Sequence, residues 1–418
     1  MKAWQKALVE EWETRRKETP APSAPFPLFE QNFETDEILA MTEVLLSGQL
    51  TMAHNVRQFE KNFSEVVNSP YSVMVNSGSS ANLLALAVAT NPMRKKRLKA
   101  GDEVLVPAVC WSTSVWPLIQ MNLKPVFVDV DPNTFNIDIA DMKRKATPRT
   151  KGLMAVHILG NCGPMDDVIA FAKDQDWIVI EDTCESLGSK WKGKALGTLG
   201  DFGTYSFYFS HHMTTGEGGM VVCKTQEDAD LLKCLRAHGW TRELSNKAEV
   251  EAKHSHVDPR FLFVNVGYNL RPMEIQAALG IKQLAKLPTM NRNRILNWRN
   301  LTEALKSHPK WAGQLEFPRA TEGSDPVWFG FSVVLADSVK VTLREYLEGL
   351  TKRGVENRPV VSGNFARQPA LALFDSQTDW RNLAGAEKVH QRGFFIGLHA
   401  EELTREQIQD LAGRLLSF

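Results

Sequence analysis

The 418 residues carry 49 basic and 49 acidic side chains, with 43% apolar and 23% charged content. Such a chain buries a sizeable core, as two domains or as one large α/β domain with an appendage, and its balanced charge leaves no field to draw nucleic acid or a membrane surface. No apolar run approaches the roughly 18 residues that span a bilayer, and the amino end, MKAWQKALVEEW, lacks the apolar segment of a signal peptide. Cys110, Cys162, Cys184, Cys223 and Cys234 include no Cys-x-x-Cys pair. They read as small buried hydrophobes in a reducing, cytoplasmic setting rather than as a zinc knuckle or disulfide framework.

From the amino end, Trp4, Leu8, Val9 and Trp12 stand at helical spacing amid charge over residues 1–18. Pro20, Pro22, Pro25 and Pro27 stop that helix and make an extended arm. Between residues 35 and 68 two helical patterns are interrupted near Ser47-Gly48. Residues 71–90, YSVMVNSGSSANLLALAVAT, pass from strand through a small-residue turn into a helix, so the N–H groups of Gly78, Ser79 and Ser80 sit at a helix start. Dipole and unsatisfied donors together favour a phosphate there, although such a turn also serves geometry alone. Strand-like runs recur at 103–109, 125–130, 153–159, 177–181, 204–209 and 219–223, with helix-length gaps. Their nearly unbroken apolar character predicts a parallel or mixed sheet buried between helix layers.

Polar groups gather where these runs end. Trp111 follows the first and is either a core residue or a flat π face for a flat ring. Glu181-Asp182-Thr183-Cys184-Glu185 follows the strand WIVI. Carboxylates at the end of a buried strand are costly unless paired; the alternative is a helix cap with a first-turn acid. Residues 204–222, TYSFYFSHHMTTGEGGMVV, deliver His211 and His212 from a strand to a Thr/Gly turn. Residues 235–242, LRAHGWTR, are basic between turn residues and read more readily as a solvated loop than as a pyrophosphate site. His254-Ser255-His256 has a spacing that metals use, but the sequence places no further ligand beside it. A helix opens near Pro272 with Glu274 in its first turn. Beyond residue 290 a smaller α/β unit follows, with strands at 326–335 and 353–361 around a helix at 342–352, and a last helix opened by the capping box Thr404-x-x-Gln407.

The 204–222 stretch resembles the active-site segment of the nucleotide-sugar aminotransferase superfamily, which uses pyridoxal phosphate. There Ser-Phe is followed by Lys-Asn and a short run into Gly-Glu-Gly-Gly, and the lysine holds the cofactor as a Schiff base. Counting back from Gly216-Glu217-Gly218-Gly219, the lysine's place is taken by His211. The resemblance thus points to the branch with His in place of Lys, the sugar 3-dehydratases, and runs from about Phe26 to the end. It implies an α/β chain of fold type I: an N-terminal helix and arm (1–30), a large cofactor-binding domain with a mixed or parallel sheet (31–290) and a smaller C-terminal α/β domain (291–418). It also implies that Ser79, Ser80 and Ser206 hold the cofactor phosphate, Trp111 stacks on the ring and Asp182 holds the ring nitrogen. Glu185 stands near the ring hydroxyl, where most of the superfamily has Gln and the dehydratase branch has an acid. In the superfamily the asparagine of the matching segment, here Gly267-Tyr268-Asn269-Leu270-Arg271, reaches the cofactor phosphate of the opposite subunit, which implies that Asn269 does so in a homodimer.

The same resemblance implies a reaction. Imidazole cannot tether the cofactor, so pyridoxamine 5'-phosphate, the aminated form of pyridoxal 5'-phosphate, is held noncovalently and condenses with the 4-keto group of a nucleotide-linked 4-keto-6-deoxy sugar. His211, of a type whose unperturbed pKa lies near neutrality, is the base. Loss of the C3 hydroxyl gives a 4-keto-3-deoxy sugar, and glutamate restores the amine. No cysteine lies beyond Cys234, so the carboxy-terminal iron–sulfur ligands of the related CDP-sugar dehydratases are missing, which tilts the nucleotide toward GDP. Three other readings stand beside this one: a sugar aminotransferase recruiting Lys190, Lys192, Lys194 or Lys224; a noncatalytic relative that binds cofactor or nucleotide sugar; and a His-ligated metal hydrolase.

Overall fold

The computed structural model describes residues 1–18, 24–29 and 33–417; Pro20 and Pro22 of the expected arm lie outside them. Helix α1 (Ala3–Glu18) buries no residue and rests on α2 (Thr35–Ser47). Helix α2 stops where the sequence is interrupted, at Gly48, whose φ of 70° is the left-handed cap that glycine adopts without a Cβ clash. Helix α3 (His54–Val67) turns Phe59 and Phe63 inward.

The large domain is built on strands β1 (Tyr71–Val75), β2 (Glu103–Pro107), β3 (Lys124–Val128), β4 (Thr150–Val156), β5 (Ile178–Asp182), β6 (Phe202–Ser206) and β7 (Gly219–Cys223). They form one sheet in the order β1-β7-β6-β5-β4-β2-β3. Strands β6, β5, β4, β2 and β3 run parallel, while β7 is antiparallel to both neighbours. Strands β2, β5, β6 and β7 are buried throughout, as their two-faced apolar runs require. Alternation splits each strand between two cores: Val73 and Val75 pack with helix α4 (Gly78–Ala89), whereas Met74 packs with Phe59, Phe63 and Tyr205.

Two local readings change. The run 153–159 does not stay extended: β4 ends at Val156, and the chain turns through Ile158–Gly160 with Leu159 at φ 50°. The basic stretch 235–242 is not a solvated loop from its start, because Arg236 closes helix α5 (Gln226–Arg236) with no exposed surface. Its guanidinium donates to Glu60 at 2.7 Å, to the Met74 carbonyl at 2.6 Å and to Glu243 at 2.8 Å. Burial alone would lower its pKa, but Glu60 and Glu243 more than offset this and raise it. Sequence shows a basic motif; only packing shows that two acids from elsewhere neutralise it.

Helix α6 (Glu274–Ser307) runs for 34 residues through residue 290 without a break. Leu284 and Leu287 belong to the large domain's core, and Leu301 and Leu305 to a second core. That second core covers an antiparallel sheet of β8 (Leu315–Glu316), β9 (Gly330–Leu335), β10 (Asn357–Pro359) and β11 (Gly393–Gly397), in the order β8-β9-β11-β10. Helices α7 (Leu343–Lys352), α8 (Ala384–Arg392) and α9 (Arg405–Leu415) complete this unit. Thr404 and Gln407 form the expected capping box on α9. Ahead of α2, Phe26 docks on the small unit by exchanging backbone bonds with Gly354 and Glu356. Among the described residues no helix is long and apolar enough to cross a membrane.

Candidate active site

The carboxyl ends of β1, β2, β5 and β6 converge, the place where open α/β sheets hold ligands. After β1, Ser77 caps α4: its hydroxyl accepts the N–H of Ser80 at 3.1 Å and donates to the Ser80 hydroxyl at 3.0 Å. Gly78 is required by what faces it, since a Cβ there would stand 2.5 Å from the Ser206 Cβ and 2.8 Å from its Oγ. The bare glycine lets the end of β6 close on the helix start and gathers the Ser77–Ser80 turn with Ser206. The first N–H groups of α4 have no acceptor within the helix, a donor set of the kind that suits an anion.

Asp182, the last residue of β5, is 4% exposed. One carboxylate oxygen accepts from the Asn82 amide at 2.8 Å and the Ser114 hydroxyl at 2.7 Å, and the other accepts the Cys184 N–H at 3.2 Å. Asn82 is fixed in turn by the Thr204 hydroxyl at 2.6 Å. Every one of these donors is neutral, and among the described residues no cation pairs with Asp182. A carboxylate so held is prepared for a cation brought by a ligand. Its neighbour Glu181 points to the other face of the strand. Burial pushes Glu181 upward, but His157 at 3.0 Å and the N–H groups of Gly197, Leu199 and Gly200 outweigh it and hold the carboxylate below its ordinary range. Glu181 therefore braces a loop. Trp111, three residues before Ser114, is 57% exposed, so it is not a core tryptophan.

Glu185 accepts the N–H of Leu159 at 3.0 Å, and the Leu159 carbonyl accepts from Phe329 at 3.1 Å. Burial first, and the nearby Asp182 charge second, raise its pKa to about 7 against the bond from Leu159. The Phe329 ring meets the His211 ring edge to face at 5.0 Å, and Tyr208 meets it at 5.8 Å. Tyr208 also donates its N–H to Ser206 at 3.2 Å. His211 is thus tied by one short path to Ser206 and by another to Glu185. It lines a cavity of about 60 Å³ with Phe209, Gln283, Arg294 and Phe329. Burial, then the Arg294 charge, lower its pKa to about 4, leaving a neutral imidazole at physiological pH. His212 differs: 1% exposed, it bonds the Val327 carbonyl through Nε2 at 3.0 Å. Lys190, Lys192, Lys194 and Lys224 are all exposed; Lys192 pairs with Asp166, and Lys224 binds the Leu199 carbonyl.

Asn269 does not join this cluster within one chain. It is exposed, accepts from Arg271 at 2.9 Å, and lines a groove of about 460 Å³ with Arg57, Lys233, Arg242 and Arg271. His254 and His256 lie with their rings 6.1 Å apart, His254 half-buried and His256 exposed. The sequence reading missed Asn82, Ser114 and Thr204, the frame of Asp182, and Arg294 and Phe329, the walls around His211. A lone Asn at the head of the apolar run LLALAVA was the one available signal.

A mixed seven-stranded sheet whose ends unite a helix start suited to an anion, a buried carboxylate without a cation, and an imidazole defines an α/β enzyme of the pyridoxal phosphate-dependent fold type I class. The chain belongs to the DegT/DnrJ/EryC1/StrS aminotransferase family, whose model matches residues 31–416. It is 40% identical over 389 residues to the GDP-4-keto-6-deoxy-D-mannose 3-dehydratase of Yersinia pseudotuberculosis, covering 92% of this chain and 97% of that one. It superposes with a TM-score of 0.86 at 38% identity on a mutant of GDP-4-keto-6-deoxymannose-3-dehydratase (ColD) with bound GDP-perosamine, over 93% of this chain and 100% of that one. The same values describe its match to that enzyme with a trapped PLP-glutamate geminal diamine.

Proposed function

We propose that the chain removes the C3 hydroxyl from a GDP-linked 4-keto-6-deoxy sugar to give the 4-keto-3-deoxy sugar, with pyridoxamine 5'-phosphate as cofactor and glutamate as amino donor. The observation that carries this is His211 at the place where a covalent anchor would need lysine, with the four lysines nearest in sequence all exposed. The residues present fit the cofactor: the Ser77–Ser80 turn and Ser206 suit its phosphate, Asp182 its protonated ring nitrogen, and exposed Trp111 a ring face. When bound, pyridoxamine 5'-phosphate supplies an amine for the sugar carbonyl and a ring that withdraws electrons.

The chain's own residues supply the proton handling. His211 is neutral at physiological pH and has a buried Nδ1 without a partner, so a ring nitrogen is open to take a proton passed within the site, while the burial and the Arg294 charge that keep it neutral make it a weaker base than a solvated imidazole. Glu185, near half-ionised at neutrality, is suited to exchange a proton close to Asp182. Asn82 and Ser114 keep Asp182 aimed. Phe329 and Tyr208 flank the imidazole with their rings edge to face. Val327 holds His212, which serves the fold rather than the chemistry.

We read the working unit as a cytoplasmic homodimer in which Asn269 of one copy completes the phosphate site of the other. Supporting this are the exposure of Asn269 among arginines and the apolar surface beside it, with Val266 88%, Phe261 59% and Phe263 50% exposed. The five unpaired cysteines suit the reducing compartment. The test is incubation with pyridoxamine 5'-phosphate, glutamate and GDP-, CDP- and dTDP-linked 4-keto sugars. A product lighter by one oxygen is expected from the GDP sugar. His211→Asn should lose turnover while still binding the cofactor; full turnover by that variant overturns the reading.

A further inference from the structure

A groove of about 1240 Å³ lies between α6 and the segment that follows it. It is separate from the site just described. Trp328 faces the groove, stacked on Trp298 at 4.7 Å and 13°, while the next residue, Phe329, packs on His211. Trp311 stacks on Phe317 at 5.6 Å and 8° farther along the same wall.

The charges around these rings are one-sided. Lys190, Arg292, Arg299, Lys306 and Arg319 line the groove against Glu316 and Asp325, and Glu316 is already paired with Lys388 at 2.9 Å. Among the described residues no acid engages Arg292, Arg299 or Arg319. Two buried polar atoms in the groove's lining also have no partner, the Trp298 indole nitrogen and the Asn291 carbonyl oxygen. Aromatic walls suit a base, the excess of arginine suits phosphate oxygens, and a stranded donor and acceptor suit the polar atoms of a nucleoside. We propose that this groove is a second binding site, for a nucleoside diphosphate, back to back with the dehydration site across Pro326–Phe329.

The test uses the pyridoxamine 5'-phosphate-loaded protein and a photoreactive azido-GDP, with adducts mapped by mass spectrometry. Adducts are expected on peptides spanning residues 292–328. Arg292→Glu with Arg299→Glu should weaken that labelling roughly tenfold or more while adducts elsewhere persist, since charge-assisted contacts of this kind are worth about a factor of ten or more each. Both side chains are exposed and unpaired, so the fold should survive, and an unchanged melting curve checks this; Arg292→Gln with Arg299→Gln replaces the pair if it does not. No adduct in the groove, or an adduct indifferent to the charge change, overturns the proposal. Displacement by inorganic pyrophosphate as strong as that by GDP overturns the nucleoside part and leaves an anion site only.

Discussion

Asn82→Ala tests how the site is held together. The Asn82 side chain is completely buried, donates to Asp182 at 2.8 Å and accepts from Thr204 at 2.6 Å. Losing a hydrogen bond to a buried carboxylate costs about 1.5–3 kcal/mol. The Thr204 hydroxyl keeps a weaker acceptor, the Glu181 carbonyl at 3.3 Å, so its share is roughly 1 kcal/mol or less. The sum is a destabilisation of about 1.5–4 kcal/mol, read as a lower urea midpoint at unchanged slope. Asp182 would retain Ser114 and the Cys184 N–H but lose its aim, and pyridoxamine 5'-phosphate should bind about tenfold more weakly, equivalent to one pKa unit at the ring nitrogen. Titration of the cofactor by its absorbance measures this. A variant whose urea midpoint and cofactor affinity both equal the parent's would refute the claim that neutral donors, Asn82 of α4 among them, hold Asp182 for a cation.

The two histidines should separate cleanly. His211→Asn removes turnover with little change in stability, whereas His212→Ala strands the Val327 carbonyl and costs about 1–3 kcal/mol of stability; the reverse pattern in kinetics and urea unfolding would show the register to be wrong. Arg236→Met leaves Glu60 and Glu243 without their cation at a buried position and should cost about 3–5 kcal/mol, partly recovered by adding Glu60→Gln. Stability equal to the parent's would show that the triad is solvated in solution. Glu185, raised by burial to about 7 from its ordinary 4.5, keeps a proton in the folded chain that the unfolded chain releases between those values. Its contribution to stability is therefore full below pH 4.5 and lost as pH rises through 7. Glu185→Gln should gain stability relative to the parent as pH rises across that window, and a constant difference in urea midpoint across it would count against the burial described here.

What the sequence determined by itself is chemistry carried by neighbours along the chain. The strand, glycine turn and helix of residues 71–90, the stop at Gly48, the capping box at Thr404 and the carboxylates closing β5 are short-range, because backbone sterics and capping bonds act over a few residues. The resemblance added the register that sets His211, rather than His212, in the lysine's place. Tertiary structure decided everything that joins distant residues: Asn82 to Asp182 across 100 positions, Arg236 to Glu60 across 176, and His212 to Val327 across 115. No local pattern marks such a pair, since each member is an ordinary polar residue until packing removes the water that would otherwise satisfy it. The groove beside α6 is of the same kind, four aromatic rings and five cations brought to one wall from segments that are unremarkable when read alone.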